Sequence, residues 1–253
     1  MIQSSKSVSH ILERMIGWPI LLRYGDPLVM DRWRWLKPRL LPGPIKTFDA
    51  GCGNGCFSFA AAARGNEVIA GSFDEASIRK ASDRARNFGV HNIKFIEVDL
   101  RELGAVAEKL PKFDQIICTE CVEHILDDAR LLRDLASMLV PGGRLLLTTP
   151  TSNHKPLRHE ALSATEDGGH VRWGYTAQRL QELCQQANMQ IIETSYTSGI
   201  LSQKLTNLMR VKQEKLAWGL TFPLRLLQVV DRPVNQVAGY PWFGIGIVAT
   251  KAT

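Results

Sequence analysis

Apolar and polar positions alternate along the chain in blocks that predict strands and helices in turn. Short apolar runs predict strands at 45–48, 67–71, 93–98, 113–119, 144–149, 191–197 and 246–251. Apolar residues at helical spacing predict helices over 75–87, 100–110, 127–139 and 176–187. Because β and α elements alternate, we expect an α/β fold with a mostly parallel, doubly wound sheet covered by helices on both faces.

Capping and helix-stopping residues mark the ends of several of these elements. Asp74 and Thr176 precede helical patterns and are good N-caps. Pro141-Gly142-Gly143 follows the helix predicted over 127–139, and this sequence is expected to stop the helix and turn the chain.

Three regions do not follow the alternation, namely 1–42, 151–175 and 199–241. We therefore divide the chain into a helical N-terminal extension (1–44), a core domain (45–198 and 242–253) and a helical insertion (199–241). The insertion lies between the last two predicted strands, where a short hairpin would be enough.

The composition is that of a soluble globular protein, with 45% hydrophobic and 22% charged residues in 253. No apolar run reaches the roughly 18–20 residues that a membrane span needs, so we expect a cytoplasmic protein. The net charge of +6 is concentrated in 1–45 and 199–241. These segments could face nucleic acid, an anionic membrane or an acidic substrate.

The five cysteines give no disulfide framework, because their number is odd and they fall within predicted strands and turns. The pairs Cys52/Cys56 and Cys118/Cys121 have spacings that zinc sites also use. We interpret these cysteines as small apolar packing residues and expect no bound metal.

The segment 45–59, IKTFDAGCGNGCFSF, reads as a strand, a tight turn and a helix. Its glycines at 51, 53 and 55 permit positive φ and let a ligand approach the backbone. A dinucleotide-binding turn would need glycine where Cys56 stands, so this spacing does not match that class.

The D-x-G-x-G-x-G spacing instead resembles motif I of the class I S-adenosylmethionine (SAM) methyltransferases. Three further segments resemble later motifs of this family in the same order: FIEVDL ending at Leu100, Glu120-Cys121-Val122-Glu123-His124, and LVPGGRLLLTTP at 139–150. The small-molecule O- and C-methyltransferases of quinone biosynthesis are particularly similar. The resemblance covers about 100 residues and implies a seven-stranded sheet with an antiparallel last strand.

The resemblance also implies SAM as cofactor, S-adenosylhomocysteine (SAH) as its product, and a set of contacts. The expected cofactor-binding residues are Asp49, Gly51, Cys52, Gly53, Asn54, Gly55, Ser72, Phe73, Asp74, Asp99, Leu100, Thr119 and Glu120. One departure from the family is that Ser72 stands where an acidic residue usually binds the ribose hydroxyls. Either Ser72 makes a weaker neutral hydrogen bond, or Asp74 reaches the ribose instead of only capping its helix.

His124 is the candidate catalytic residue, because it follows a strand end and a histidine can accept a proton near neutral pH. A purely structural histidine is the alternative, since methyl transfer often needs only proximity. His154, His159 and His170, in the irregular 151–175 stretch, are the candidate substrate-binding residues.

The sequence therefore predicts a SAM-dependent methyltransferase acting on O, N or C of a small or lipid-like acceptor. The alternatives are a nucleic-acid methyltransferase, although CTEC stands where such enzymes carry an N-P-P-Y-type tetrad, and a non-catalytic SAM-binding partner subunit. The apolar run at 216–230 predicts either a buried helix pair or an interfacial helix at a membrane surface. Its basic neighbours would suit anionic headgroups, and these are Lys204, Arg210, Lys212, Lys215 and Arg232.

Overall fold

The structure is a computed structural model that describes residues 13, 15–24, 26–211 and 223–252. The strands in this part of the chain are β1 (Lys46–Ala50), β2 (Glu67–Ser72), β3 (Ile93–Glu97), β4 (Phe113–Thr119), β5 (Leu139–Pro150), β6 (Met189–Thr197) and β7 (Gly244–Lys251). They form a seven-stranded sheet in the order β3-β2-β1-β4-β5-β7-β6. The pairs among β1 to β5 are parallel, whereas β7 runs antiparallel to both β5 and β6. The predicted fold class is confirmed.

Helices connect the strands and cover both faces of the sheet. The α-helices are α1 (Leu21–Tyr24), α2 (Pro27–Leu36), α3 (Cys56–Ala62), α4 (Glu75–Phe88), α5 (Leu103–Ala107), α6 (Asp128–Met138), α7 (Ala177–Gln186), α8 (Ile200–Val211) and α9 (Asp231–Ala238). Short 3-10 helices occupy Trp18–Ile20, Leu100–Glu102, Val122–His124 and Pro223–Val230. The side chains of Asp74 and Thr176 cap α4 and α7, as predicted.

Two predicted elements differ from the structure. The helix expected over 100–110 is divided into the 3-10 helix Leu100–Glu102 and α5. The Pro141-Gly142-Gly143 segment lies within β5 rather than in a turn before it. The positive φ of Gly142 (74°) and a register shift between β4 and β5 let the strand absorb this segment without leaving the sheet.

The hydrophobic core has two layers, one on each face of the sheet. Neighbouring residues of a strand point to opposite faces, so Ile116 belongs to the layer under α5, α6 and α7, and Ile117 to the layer under α2 and α3. This alternation explains why the central strands read as continuous apolar runs, since a parallel sheet is buried on both sides.

The N-terminal extension is fastened to the sheet by Trp35 of α2. Its side chain is buried, and its Nε1 donates a hydrogen bond to Ser195 Oγ on β6 at 2.6 Å. The indole lies over Gly246 of β7, where an added Cβ would come within 2.4 Å of the ring. Glycine at 246 therefore makes room for α2.

We expect Gly246→Ala to lower the free energy of unfolding by about 1–3 kcal/mol, the usual cost of overpacking a core. Urea denaturation measures this loss. In a Trp35→Ala background the same substitution should cost much less, because its steric partner is gone. An equal loss in both backgrounds would show that the Trp35 contact is not the cause.

Candidate functional site

The glycine turn lies between the end of β1 and the start of α3, and all three of its glycines have positive φ: 75° at Gly51, 51° at Gly53 and 79° at Gly55. The backbone N–H groups of Gly51 and Cys52 donate to the carbonyl oxygen of Gly71 on β2, at 2.9 and 2.8 Å. A Cβ at Gly53 would meet no atom within 4 Å. The turn is thus fixed to its neighbouring strand and open on its outer side.

The side chain of Asp49 on β1 lies beneath this turn. Its buried carboxylate accepts a hydrogen bond from Ser58 Oγ of α3 at 2.5 Å. Burial raises the pKa of Asp49 to about 6, although the hydrogen bonds from Ser58 oppose this shift. Asp49 therefore supports the turn and the first helix from below.

A first cavity of about 460 Å³ opens at the carboxyl ends of the central strands, where open α/β sheets bind ligands. The predicted residues that line it are Gly51, Gly53, Ser72, Phe73, Asp74, Asp99, Leu100, Glu120 and His124. Five predicted cofactor residues, Asp49, Cys52, Asn54, Gly55 and Thr119, are not among its lining residues. The lining residues that sequence reasoning missed are Ser77, Val98, Arg101, Cys121, Ile125, Glu166, Asp167 and Gly168.

Asp74 is occupied as the cap of α4. It accepts hydrogen bonds from the backbone N–H groups of Ala76 (3.2 Å) and Ser77 (3.0 Å) and from Ser77 Oγ (2.5 Å). The Ser77 hydrogen bonds lower the pKa of Asp74. The Oγ of Ser72, the last residue of β2, accepts only a long hydrogen bond from the backbone of Asp74, at 3.3 Å. Ser72 is thus the less engaged of the two ribose candidates.

Asp99 is paired with Arg101, a residue that the motif comparison does not mark. The guanidinium donates to both Asp99 carboxylate oxygens at 2.6–2.9 Å, and the Arg101 backbone N–H donates at 2.9 Å. This pairing lowers the pKa of Asp99. Arg101 Nη1 also donates to the carbonyl oxygen of Glu166 at 3.2 Å, so the first cavity is tied to the 151–175 loop.

A second cavity of about 340 Å³ adjoins the first and shares Glu120, His124 and Gly168 with it. Its lining residues are Asp26, Leu28, Arg32, Glu120, His124, His159, Glu160, Ala161, Gly168, Gly169, His170, Arg210 and Phe243. His159 and His170 thus line this second cavity, and their contact with an acceptor stays a prediction. His154 does not line it: this buried ring contacts the Thr151 carbonyl oxygen at 2.5 Å and Glu160 at 3.1 Å.

The wall shared by the cavities begins with a strained residue. Glu120 has φ 52°, a left-handed conformation that is uncommon outside glycine. Its backbone N–H donates to the Thr148 carbonyl oxygen at 2.8 Å, and its Oε1 accepts from Thr148 Oγ1 at 3.0 Å. His124 Nδ1 lies 3.0 Å from the Gly169 carbonyl oxygen. Because a carbonyl only accepts, Nδ1 carries the proton in this contact and a neutral ring keeps a lone pair on Nε2.

Glu123 is fully buried behind this wall. Its Oε2 accepts from Thr149 Oγ1 at 3.1 Å, whereas Oε1 has no hydrogen-bond partner among the described residues. Burial, followed by the negative charge of Glu120, raises the pKa of Glu123. Ligand atoms of Glu123, His124 and His170 lie within 4.8 Å of one another, so this group could hold a cation, which the sequence analysis did not expect.

Residues 28–194 match the model of a family described as a methyltransferase domain. Curated relatives include the ubiquinone biosynthesis O-methyltransferases of Leptothrix cholodnii (32% identity over 126 residues, 49% of this chain and 52% of that one) and Pseudomonas putida W619 (34% over 127 residues, 49% and 52%). The chain thus spans about half the length of the curated relatives it matches.

Solved structures with the same fold include the (4+2)-cyclase SpnF, with 20% identity, TM-score 0.62, and coverage of 89% of this chain and 83% of that one. A SAM-dependent methyltransferase from Mesorhizobium loti has 18% identity, TM-score 0.58, and coverage of 87% and 98%. At these identities the likeness concerns the fold alone. Since the family model matches well over half of the chain and the sheet has the expected order, this chain belongs to the methyltransferase-domain family and has the class I SAM-dependent methyltransferase fold.

Proposed function

We propose that this chain binds SAM in the first cavity and transfers its methyl group to an oxygen atom of a small acceptor in the second cavity. The observation that carries the proposal is the wall shared by the cavities. Glu120, His124 and Gly168 line both, so a donor and an acceptor bound on either side would meet there. Holding two reactants in contact supplies much of the rate enhancement that a displacement reaction needs.

The cofactor would follow the rim of the first cavity. The backbone of Gly51 and Gly53 would face the methionine part, Ser72 the ribose, and Asp99 with Leu100 the adenine. An acceptor oxygen would attack the methyl carbon in line with the carbon–sulfur bond. The carbon–oxygen bond forms as the carbon–sulfur bond breaks, SAH leaves, and Nε2 of His124 takes the hydroxyl proton.

The choice of oxygen as the acceptor atom follows the O-methyltransferase relatives. A nucleic-acid acceptor is disfavoured by the size of the second cavity, about 340 Å³, which suits a small molecule. The fold alone does not imply methyl transfer, since SpnF shares it and is described as a cyclase. A non-catalytic SAM-binding subunit therefore stays the second class.

Incubation of the purified chain with SAM and a panel of catechols should yield SAH together with a monomethylated product, detected by mass spectrometry. Gly53→Val should abolish both SAM binding and turnover, because its side chain would occupy the first cavity. Gly142→Val is the matched control, since Gly142 also has positive φ and open space but lies away from both cavities. SAM binding without SAH formation from any acceptor would favour the non-catalytic class.

The two ribose candidates are separable by titration calorimetry with SAM. We expect Ser72→Ala to weaken SAM binding by about 1 kcal/mol, the value of a neutral hydrogen bond. Asp74→Ala should leave SAM affinity nearly unchanged and lower the melting temperature, because it removes the cap of α4. A loss of SAM affinity in Asp74→Ala larger than in Ser72→Ala would contradict this assignment.

We further propose that the 199–241 insertion caps the acceptor cavity and contacts an anionic lipid bilayer. The cap is supported by Arg210 of α8, which lines the second cavity. The membrane contact is supported by exposed apolar residues on Pro223–Val230 and α9, which are Leu224, Leu226, Leu227, Val229, Val230, Val234 and Val237. Exposed patches of this kind commonly mark interaction sites. No helix among the described residues is long and apolar enough to cross a bilayer.

The basic charge of the insertion favours anionic headgroups as the partner of this patch. The sequence contains six Lys/Arg and two Asp/Glu over 199–241, although Lys212 and Lys215 lie outside the described residues. Interfacial segments combine apolar burial with such electrostatic attraction.

Replacing Leu226, Val229 and Val237 together by serine should reduce binding to phosphatidylglycerol-containing liposomes at least about tenfold, because their apolar side chains would no longer enter the bilayer. Co-sedimentation measures the bound fraction. Ile192→Ser, at an exposed apolar position on β6, is the control and should change nothing. Absence of binding between the wild-type protein and these liposomes at low salt would refute the membrane contact.

A further inference from the structure

Two arginines from outside the predicted core domain reach the second cavity. Arg32 comes from α2 in the N-terminal extension, and Arg210 comes from α8 in the insertion. Arg32 Nε donates to the Leu28 carbonyl oxygen at 3.3 Å, and Arg210 Nη1 donates to the Arg158 carbonyl oxygen at 2.9 Å. Each guanidinium carries five N–H donors, so both keep donors for another group.

Within the described part of the chain, neither guanidinium forms a close pair with a carboxylate. Among the described residues, the shortest distance from either guanidinium to a carboxylate is the 4.0 Å between Arg32 Nη2 and Asp26 Oδ1, which is too long for a hydrogen bond. Bidentate pairs between arginine and a carboxylate or phosphate have nitrogen–oxygen distances of roughly 2.7–2.9 Å. Arg32 and Arg210 therefore bring positive charge to the second cavity, and no close ion pair neutralises it.

The carboxylates of the same cavity are engaged by other groups. Asp26 Oδ1 caps α2 through the Val29 N–H at 3.3 Å. Glu160 accepts from the Leu157 N–H at 2.7 Å and contacts His154. Glu120 accepts from Thr148 Oγ1. Burial lowers the pKa of Arg32, but Glu120, Asp26 and Glu123 outweigh that effect and raise it, so the guanidinium stays charged.

We propose that Arg32 and Arg210 bind an anionic oxygen group, a carboxylate or a phosphate, carried by the methyl acceptor. The inference rests on the proposed function in calling the ligand an acceptor. A cavity of about 340 Å³ has room for a single substituted ring, and it shares His124 with the first cavity. The ring would then be held by its anionic group on the arginines, with its hydroxyl at the shared wall.

Titration calorimetry with SAH present, so that the first cavity is filled, tests this subsite with three probes. These are 3,4-dihydroxybenzoate, its neutral analogue 3,4-dihydroxybenzyl alcohol, and inorganic phosphate. The carboxylate should bind at least about tenfold more tightly than the alcohol, as expected for charge-assisted hydrogen bonds. Inorganic phosphate that displaces the benzoate at similar concentrations would identify a phosphate as the preferred group, and benzoate binding that excess phosphate does not change would identify a carboxylate.

Arg32→Gln and Arg210→Gln should each weaken the preferred anion about tenfold and leave the alcohol within about twofold. Arg32→Lys keeps the charge but loses the planar fork, so a partial loss is expected even if the glutamine variant folds poorly. Arg133→Gln, at an exposed position of α6 that lines neither cavity, is the control.

Equal affinity of wild-type protein for the benzoate and the alcohol would overturn the subsite, and so would equal weakening of both probes in the arginine variants. These results are distinct from failure of the proposed function. Catechols methylated with no preference for anionic substituents would refute the subsite alone. Arginine-dependent anion binding without SAH formation from any acceptor would refute the methyl transfer alone.

Discussion

The close approach of Gly51 to Cys121 is the constraint on which the candidate site depends. A Cβ at position 51 would lie 2.2 Å from Cys121 Sγ, so only glycine lets the turn after β1 pass beneath the chain that leaves β4. The same turn is held on its other side by two hydrogen bonds to the Gly71 carbonyl oxygen of β2. These contacts hold the carboxyl ends of β1, β2 and β4 side by side, and the first cavity forms where the three ends meet.

Glu120, the residue before Cys121, has a left-handed backbone conformation. A non-glycine residue in this conformation costs of order 1–3 kcal/mol, which the surrounding contacts must offset. Thr148 offsets this cost, because its carbonyl oxygen accepts from the Glu120 N–H and its hydroxyl donates to the Glu120 carboxylate. The hydroxyl of the next residue, Thr149, donates to the buried carboxylate of Glu123. The sharp turn leads the chain directly into the 3-10 helix Val122–His124. His124 reaches the boundary between the cavities because of this turn.

Much of the fold could be predicted because its signals are local. Apolar runs marked the strands, Asp74 and Thr176 marked helix starts, and the glycine spacing marked the turn. The contacts that could not be predicted join residues far apart in sequence. Trp35 over Gly246 and Arg101 with Glu166 have no local pattern to indicate them. The same holds for the presence of Arg32 and Arg210 at one cavity. Asp49 shows how a motif position can also have a structural role, since its buried carboxylate accepts a hydrogen bond from Ser58 and so joins β1 to α3.

The pairing of Asp99 with Arg101 connects the first cavity to the loop that borders both cavities. An ionised carboxylate offers about four acceptor positions, so Asp99 can accept a hydrogen bond from an adenine amino group while it keeps Arg101. Arg101 in turn donates to the Glu166 carbonyl oxygen, and Glu166 Oε1 accepts from the Leu126 N–H at 2.6 Å. Gly168, two residues further on, lines both cavities. A cofactor that fixed Asp99 would thereby fix the loop that borders the second cavity, because each contact in this chain of hydrogen bonds restrains the next one.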